Sequence, residues 1–321
     1  MTRILAYRFS AFGDVAILVP VLKEFLAQNP SVEIVFVSQE NFQDLFNGID
    51  RLTFKGIDLA SHSGILRLRK LTNELEKTFK PKYIADFHDV IRTKIISGFF
   101  KLKGHKVSTI DKGRKVKEEL TDVKNLHKIR LKQTSERYAD VLRKLGFQVK
   151  LSHQLPTNLK QKSGIGIAPF AQHKGKMLPI EKTFELTKIL SKNHKIYLFG
   201  GGKNETEILA QWVGLLENVT SLAGKLSLKG ELEKISELEL MISMDSANMH
   251  LASLVGTRCI SVWGATHYFA GFLGYGQSEN DIVEITDLEC RPCSVFGNKE
   301  CFRGDYACLN RIEISEILKK I

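Results

Sequence analysis

Short apolar runs alternating with stretches of helical period most constrain what this chain can fold into. Residues 3–8 read as a strand, 10–14 as a small-residue turn, and 15–28 as a helix that buries Ile17, Val21 and Leu22. Pro30 and Ser31 interrupt it, and residues 33–37 return as a strand. Strand, helix and strand inside 37 residues make a βαβ unit, because parallel strands need a long crossover between them. A helix over 64–79 and a strand over 83–86 continue the alternation. A helix over 133–145 then stops at Gly146, and the polar stretch 150–163 reads as a linker. A second series follows. Strands fall at 163–169, 195–199, 240–243 and 258–263, with helices over 181–191, 204–216 and 247–255 and a further segment around 230–238. Apolar strands interleaved with amphipathic helices predict parallel sheets covered on both faces. The expectation is an α/β protein of two Rossmann-like domains, 1–160 and 161–321, facing across a cleft at the carboxyl edges of their sheets.

The 321 residues are 43% hydrophobic and 26% charged, a globular composition rather than a disordered or fibrous one. No run approaches the ~20 apolar residues of a membrane helix. The opening residues read as a first strand and not as a signal peptide, so a cytoplasmic protein is expected. The formal charge of +11 is unevenly spread: residues 1–160 hold 29 Lys+Arg against 17 Asp+Glu, and residues 161–321 hold 18 against 19. Such a basic first half suits an anionic partner. Residues 101–132 are the densest part, with 11 Lys+Arg and 4 Asp+Glu. They read as a solvated surface stretch or as a contact for a membrane or glycan. No nucleic-acid motif or interleaved aromatic accompanies the charge, and no nucleic-acid partner is expected.

Chemistry-bearing residues fall where strands end. Gly13 permits a tight turn between the first strand and helix, and Asp14 follows it near the helix N-terminus, either as a first-turn carboxylate or as a general base. A lone glycine there does not make a dinucleotide fingerprint. The run Asp245-Ser246-Ala247-Asn248-Met249-His250 repeats the strand-to-helix arrangement. Asp245 and Ser246 either cap that helix or leave its N–H groups for a diphosphate. Lys174 and Lys176 follow another strand end and suit a diphosphate by point charge. Gly200–Gly202 with Glu205 permits close backbone approach beside a carboxylate.

Of five cysteines, Cys259 lies in an apolar strand and reads as a small buried hydrophobe. Cys290, Cys293, Cys301 and Cys308 form C-x2-C-x7-C-x6-C. The spacing leaves a structural zinc or iron–sulfur site, reduced thiols and disulfides all open.

The segments RFSAFGDVAILVPVLKEF, KMLP at 176–179, AGKLSL at 223–228 and DSANMHLASLVGTRCISVWGAT together resemble glycosyltransferase family 9, the ADP-heptose:lipopolysaccharide heptosyltransferases. The resemblance implies a GT-B fold, with the acceptor on the N-terminal domain, an ADP-sugar-like donor on the C-terminal domain and a last helix, Ile312–Ile321, crossing back. It implies inverting transfer, without a catalytic cofactor, to a phosphorylated lipid-linked glycan of the lipopolysaccharide core, with peripheral contact at the cytoplasmic face of the inner membrane. On this resemblance Asp14 is the base, and Arg8 a basic residue for developing negative charge or an acceptor phosphate. Lys176 binds diphosphate, Glu205 the ribose and Leu226 the base, while Asp245, Ser246, Ala247 and His250 form the donor block. Ala171, Ala247 and His88 depart from the family's usual Thr or Ser, Gly and Gln, whereas Arg92 keeps its arginine. A nucleotide-sugar epimerase and a non-catalytic nucleotide- or polyanion-binding protein are the alternatives.

Overall fold

The computed structural model describes all 321 residues. Along the first half run β1 (Thr2–Tyr7), α1 (Phe12–Gln28), β2 (Val32–Gln39), β3 (Leu52–Ile57), α2 (Ile65–Phe79), β4 (Tyr83–Asp86), α3 (Ile91–Leu102), β5 (Lys106–Thr109), α4 (Arg114–Leu120) and α5 (Thr134–Leu145). The second half continues with β6 (Ile165–Ala168), α6 (Ile180–Leu190), β7 (Ile196–Leu198), α7 (Lys203–Leu215), β8 (Val219–Ser221), α8 (Leu228–Ser236) and β9 (Leu240–Met244). It ends with α9 (Ala247–Leu254), β10 (Cys259–Trp263), β11 (Ile282–Glu284), α10 (Ala307–Asn310) and α11 (Ile314–Leu318).

The first compact unit comprises Met1–Lys112 and Thr134–Ser152. Its five parallel strands lie in the order β3-β2-β1-β4-β5. The central β1 is buried from Ile4 to Tyr7, because both of its faces are covered. Leu68, Leu71 and Leu75 recur at helical spacing on α2 and join Ile96 and Phe100 of α3 over Leu5, Tyr7, Val35, Val37 and Ile84. Each such buried side chain contributes about 1.5–3 kcal/mol of apolar transfer energy. Strand order reverses between β1 and β4, and ligands in open α/β sheets bind beyond the carboxyl ends at such a switch. Residues 8–14 and 87–89 lie there.

The second unit comprises Gly113–Gln133 and His153–Ile321. Its six parallel strands run β11-β10-β9-β6-β7-β8, with the switch between β6 and β9. The basic stretch 113–133 therefore goes with this unit, although its sequence position is in the first half. Lys117 Nζ sits 4.1 Å above the Phe272 ring, Arg130 lies over Tyr268 and pairs with Glu279, and Leu131 N–H donates to Phe269 O. The expected linker is also built structure: Asn158 Nδ2 donates to the Ser236 and Val255 carbonyls. The terminal α11 belongs to this unit, with Ile317 in its core. No helix is long and apolar enough to cross a membrane.

Candidate active site

At the first switch point, α1 starts at Phe12 after an Ala11 N-cap that supplies no side-chain bond, so Asp14 occupies the first helical turn. Arg8, one residue beyond β1, is 4% exposed. Its guanidinium reaches Asp14 Oδ2 at 2.6 Å and donates to Phe87 O at 2.6 Å. The Tyr138 ring lies under it at 5.6 Å, and Tyr138 O–H donates to the Asp14 carbonyl. The Asp14 side chain remains 24% exposed. A buried cation thus fixes one oxygen of a carboxylate that still meets solvent.

His88 braces this turn from just beyond β4. Its Nδ1 accepts the Phe9 N–H at 3.4 Å, which leaves Nε2 to donate to Ser10 Oγ at 3.3 Å. Burial, then Arg8 and Lys112, lower its pKa to about 3, so the ring is neutral. Beneath it, Asp86 accepts the His88 and Asp89 N–H groups, and burial raises its pKa despite them.

At the second switch point, Lys176 Nζ and Thr266 Oγ1 meet the same oxygen of Asp245, at 2.9 and 2.8 Å. Lys174, indistinguishable from Lys176 by residue type, lies instead over the Tyr306 ring at 4.8 Å. Ser246 is the N-cap residue of α9, but its hydroxyl bonds Ser243 Oγ and makes no capping bond. The capping alternative for Asp245 and Ser246 is therefore not realised by either side chain. The first N–H groups of α9, at Ala247 onward, are left with the partial positive charge that anions favour. His250 is buried within α9, and Leu226 is 36% exposed ahead of α8. Glu205, in the first turn of α7, accepts the Gly201 N–H at 2.8 Å, so it steadies the glycine loop through one oxygen. Ala171 packs against the unit's core.

Cys290, Cys293, Cys301 and Cys308 are free thiols. No group of three or more His, Cys, Asp or Glu side chains is set out as a metal site in this arrangement. The four thiols lie near enough to act on one another: beyond the effect of burial, Cys290 and Cys301 raise the pKa of Cys293, and all three raise that of Cys308, while Cys293 also faces Ala265 O and Cys301 faces Asp305. Burial, first among the causes, pushes the Cys308 thiol up to about 11.

The sequence singles out Arg8 and Asp14 separately; their pairing, like the contacts of Thr266 and Arg291, is visible only in the structure. Thr266 stands in the quoted WGAT run, two residues past a Gly that ends a strand. Arg291 sits inside the Cys-x2-Cys spacing, and no sequence pattern marks it.

The sequence profile of glycosyltransferase family 9 (heptosyltransferase) matches residues 99–301. Lipooligosaccharide heptosyltransferase 2 of Campylobacter jejuni subsp. jejuni serotype O:2 is 25% identical over 268 residues, covering 82% of this chain and 79% of the relative. The crystal structure of a family 9 glycosyl transferase from Veillonella parvula aligns with a TM-score of 0.73 at 18% identity, covering 99% of this chain and 95% of that one. The structure of E. coli ADP-heptose lps heptosyltransferase II aligns with a TM-score of 0.69 at 16% identity, covering 99% and 97%. These likenesses agree with the expected GT-B fold.

Proposed function

The chain belongs to glycosyltransferase family 9, the heptosyltransferases, and on that premise we propose that it transfers a heptose-type sugar, with inversion, from an ADP-linked donor to a phosphorylated core glycan of lipopolysaccharide or lipooligosaccharide type. Membership of a transferase family weighs against the epimerase alternative. The names of the relatives, which include an ADP-heptose enzyme and a lipooligosaccharide enzyme, support the donor and acceptor classes. The observation that carries the mechanism is the Arg8–Asp14 pair, in which a buried guanidinium orients a carboxylate still open to solvent.

Asp14 removes the proton from an acceptor hydroxyl as that oxygen attacks the anomeric carbon. The bond from that carbon to the donor diphosphate breaks on the opposite side, and ADP leaves with the electron pair. Lys176 and the N-terminus of α9 take up the charge developing on the departing phosphate. Arg8 keeps one carboxylate oxygen occupied, which presents the other to the hydroxyl. Leu226 and Glu205 are assigned to the nucleoside, and His250 to the donor block around α9. The acceptor is assigned to the first unit. Peripheral contact with the cytoplasmic face of a membrane is consistent with the basic stretch 113–133, where Leu126 and Ile129 are exposed between Lys124, Lys128 and Arg130.

Incubation with ADP-heptose, a UDP-sugar and a GDP-sugar, each with a core-glycan acceptor, is expected to give product from ADP-heptose alone, with the opposite anomeric configuration by NMR. Asp14→Asn is expected to lower kcat by about 10²–10⁴-fold, the usual range for a general base, while ADP binding stays near wild type. Full turnover by this variant under chemistry-limited conditions would remove Asp14 from the role.

A further inference from the structure

The residues around Lys176 form a bracket whose parts the family reading does not use. Thr266 is 1% exposed, and its hydroxyl shares Asp245 Oδ2 with the Lys176 ammonium. Gly297 has φ +73°, and a Cβ there would fall 2.4 Å from Lys176 Cγ and 2.9 Å from Cδ. The backbone of Gly297 therefore lies flat on the lysine stem, in a conformation that glycine adopts without steric cost. Gly175 is confined in the same way, since its own Cβ would meet Gly297 O at 2.9 Å.

The bracket is anchored at both ends. Cys293 and Ser294 N–H groups donate to Ala265 O, and Gly297 N–H donates to Ser294 Oγ. Arg291, buried in the same loop, donates to the carbonyls of Gly264 at 2.6 Å and Thr266 at 3.0 Å and pairs with Glu284 at 2.9 Å. One loop thus fixes the lysine stem on one side and the turn carrying Thr266 on the other.

We propose that Thr266 and Gly297 are positioning residues for the donor diphosphate. Thr266 locks the Asp245 carboxylate in the rotamer that holds one N–H of the Lys176 ammonium. Gly297 holds the aliphatic stem straight, and the remaining two N–H groups then point to phosphate oxygens. An ammonium has three donors, so one can stay on Asp245 while phosphate binds. The inference rests on the reading of Lys176 as a diphosphate ligand.

Calorimetric titration of the full chain with ADP and with AMP tests both layers separately. Lys176→Ala is expected to weaken ADP binding more than AMP binding. Thr266→Val is expected to weaken ADP by about 5- to 10-fold, the size of one lost hydrogen bond, with Thr266→Ser restoring it. Adding Thr266→Val to Lys176→Ala is expected to cost nothing further, because Thr266 acts through the lysine. Gly297→Ala is expected to show the same ADP-selective loss and the same absence of additivity, and it serves where Thr266→Val does not fold. A Lys176→Ala protein that binds ADP like wild type overturns the reading of Lys176 itself. A normal Lys176 effect alongside unchanged ADP affinity in the Thr266 and Gly297 variants, or losses that add in the double variants, overturns the positioning role alone.

Discussion

At the scale of single residues, what decides a role is which neighbour a side chain faces. Lys174 and Lys176 stand two apart in one turn, yet one covers an aromatic ring and the other an aspartate. Residue type and turn do not tell them apart, since both are lysines in a polar turn, and only the family resemblance singles out Lys176. Asp14 was legible at the strand-to-helix turn and Arg8 only through the family resemblance, while their ion pair emerges from the fold. Two histidines carry a pH signature. His88 and His267 are each lowered to about 3 by burial from an ordinary value of 6.5. The unfolded chain then binds the extra protons, so this contribution is complete above pH 6.5 and is lost as pH falls toward 3. His88→Gln, which keeps an acceptor for Phe9 N–H, is expected to flatten the loss of stability between pH 6.5 and 4. Urea midpoints at those two pH values measure it, and an unchanged difference from wild type would remove His88 as a source.

Among elements, legibility followed length and surroundings. α1, α2 and β4 were readable within a few residues because the helices run for many turns and the strand is bounded by breakers. β8 and β11 are three-residue strands, too short to show a period, and they gain their pairing only from β7 and β10 beside them. The stretch 150–163 misled for a different reason. Polar residues usually mean a solvated connection, yet here their side chains satisfy carbonyls at the ends of neighbouring helices, as Asn158 does. Gly276 shows how closely this stretch is fitted: at φ +73°, a Cβ would lie 2.4 Å from Leu155 N and 2.5 Å from Gln154 C. Gly276→Ala combines a left-handed backbone with a backbone clash, and a destabilisation of about 2–4 kcal/mol is expected. Chemical denaturation gives the value, and a change within 0.5 kcal/mol of wild type, the spread of ordinary surface substitutions, would show that the strand of chain can move aside.

For the molecule as a whole, two compact units are joined by a chain that passes from one to the other after Lys112, returns after Gln133 and passes again after Ser152. The alternation of strands and helices announced two α/β halves, but not the excursion, because nothing local in 113–133 reveals that its partners are Tyr268, Phe269 and Phe272. A synthetic peptide of residues 113–133 is expected to raise the melting temperature of a 153–321 fragment, and Arg130→Ala with Lys117→Ala is expected to abolish the gain. No effect of the wild-type peptide would mean that those contacts contribute little.

That excursion also sets a timetable for birth on the ribosome. Thr134–Ser152 completes the first unit early, whereas Gly113–Gln133 emerges well before the aromatic residues it settles upon. At about 5–20 residues per second, the strap waits on the order of ten to thirty seconds, with Lys117 and Arg130 lacking the Phe272 and Tyr268 rings over which they later lie. A nascent chain stalled near residue 200 should therefore carry a finished first unit with a positively charged loop hanging from it, the stage at which a chaperone has the most to hold.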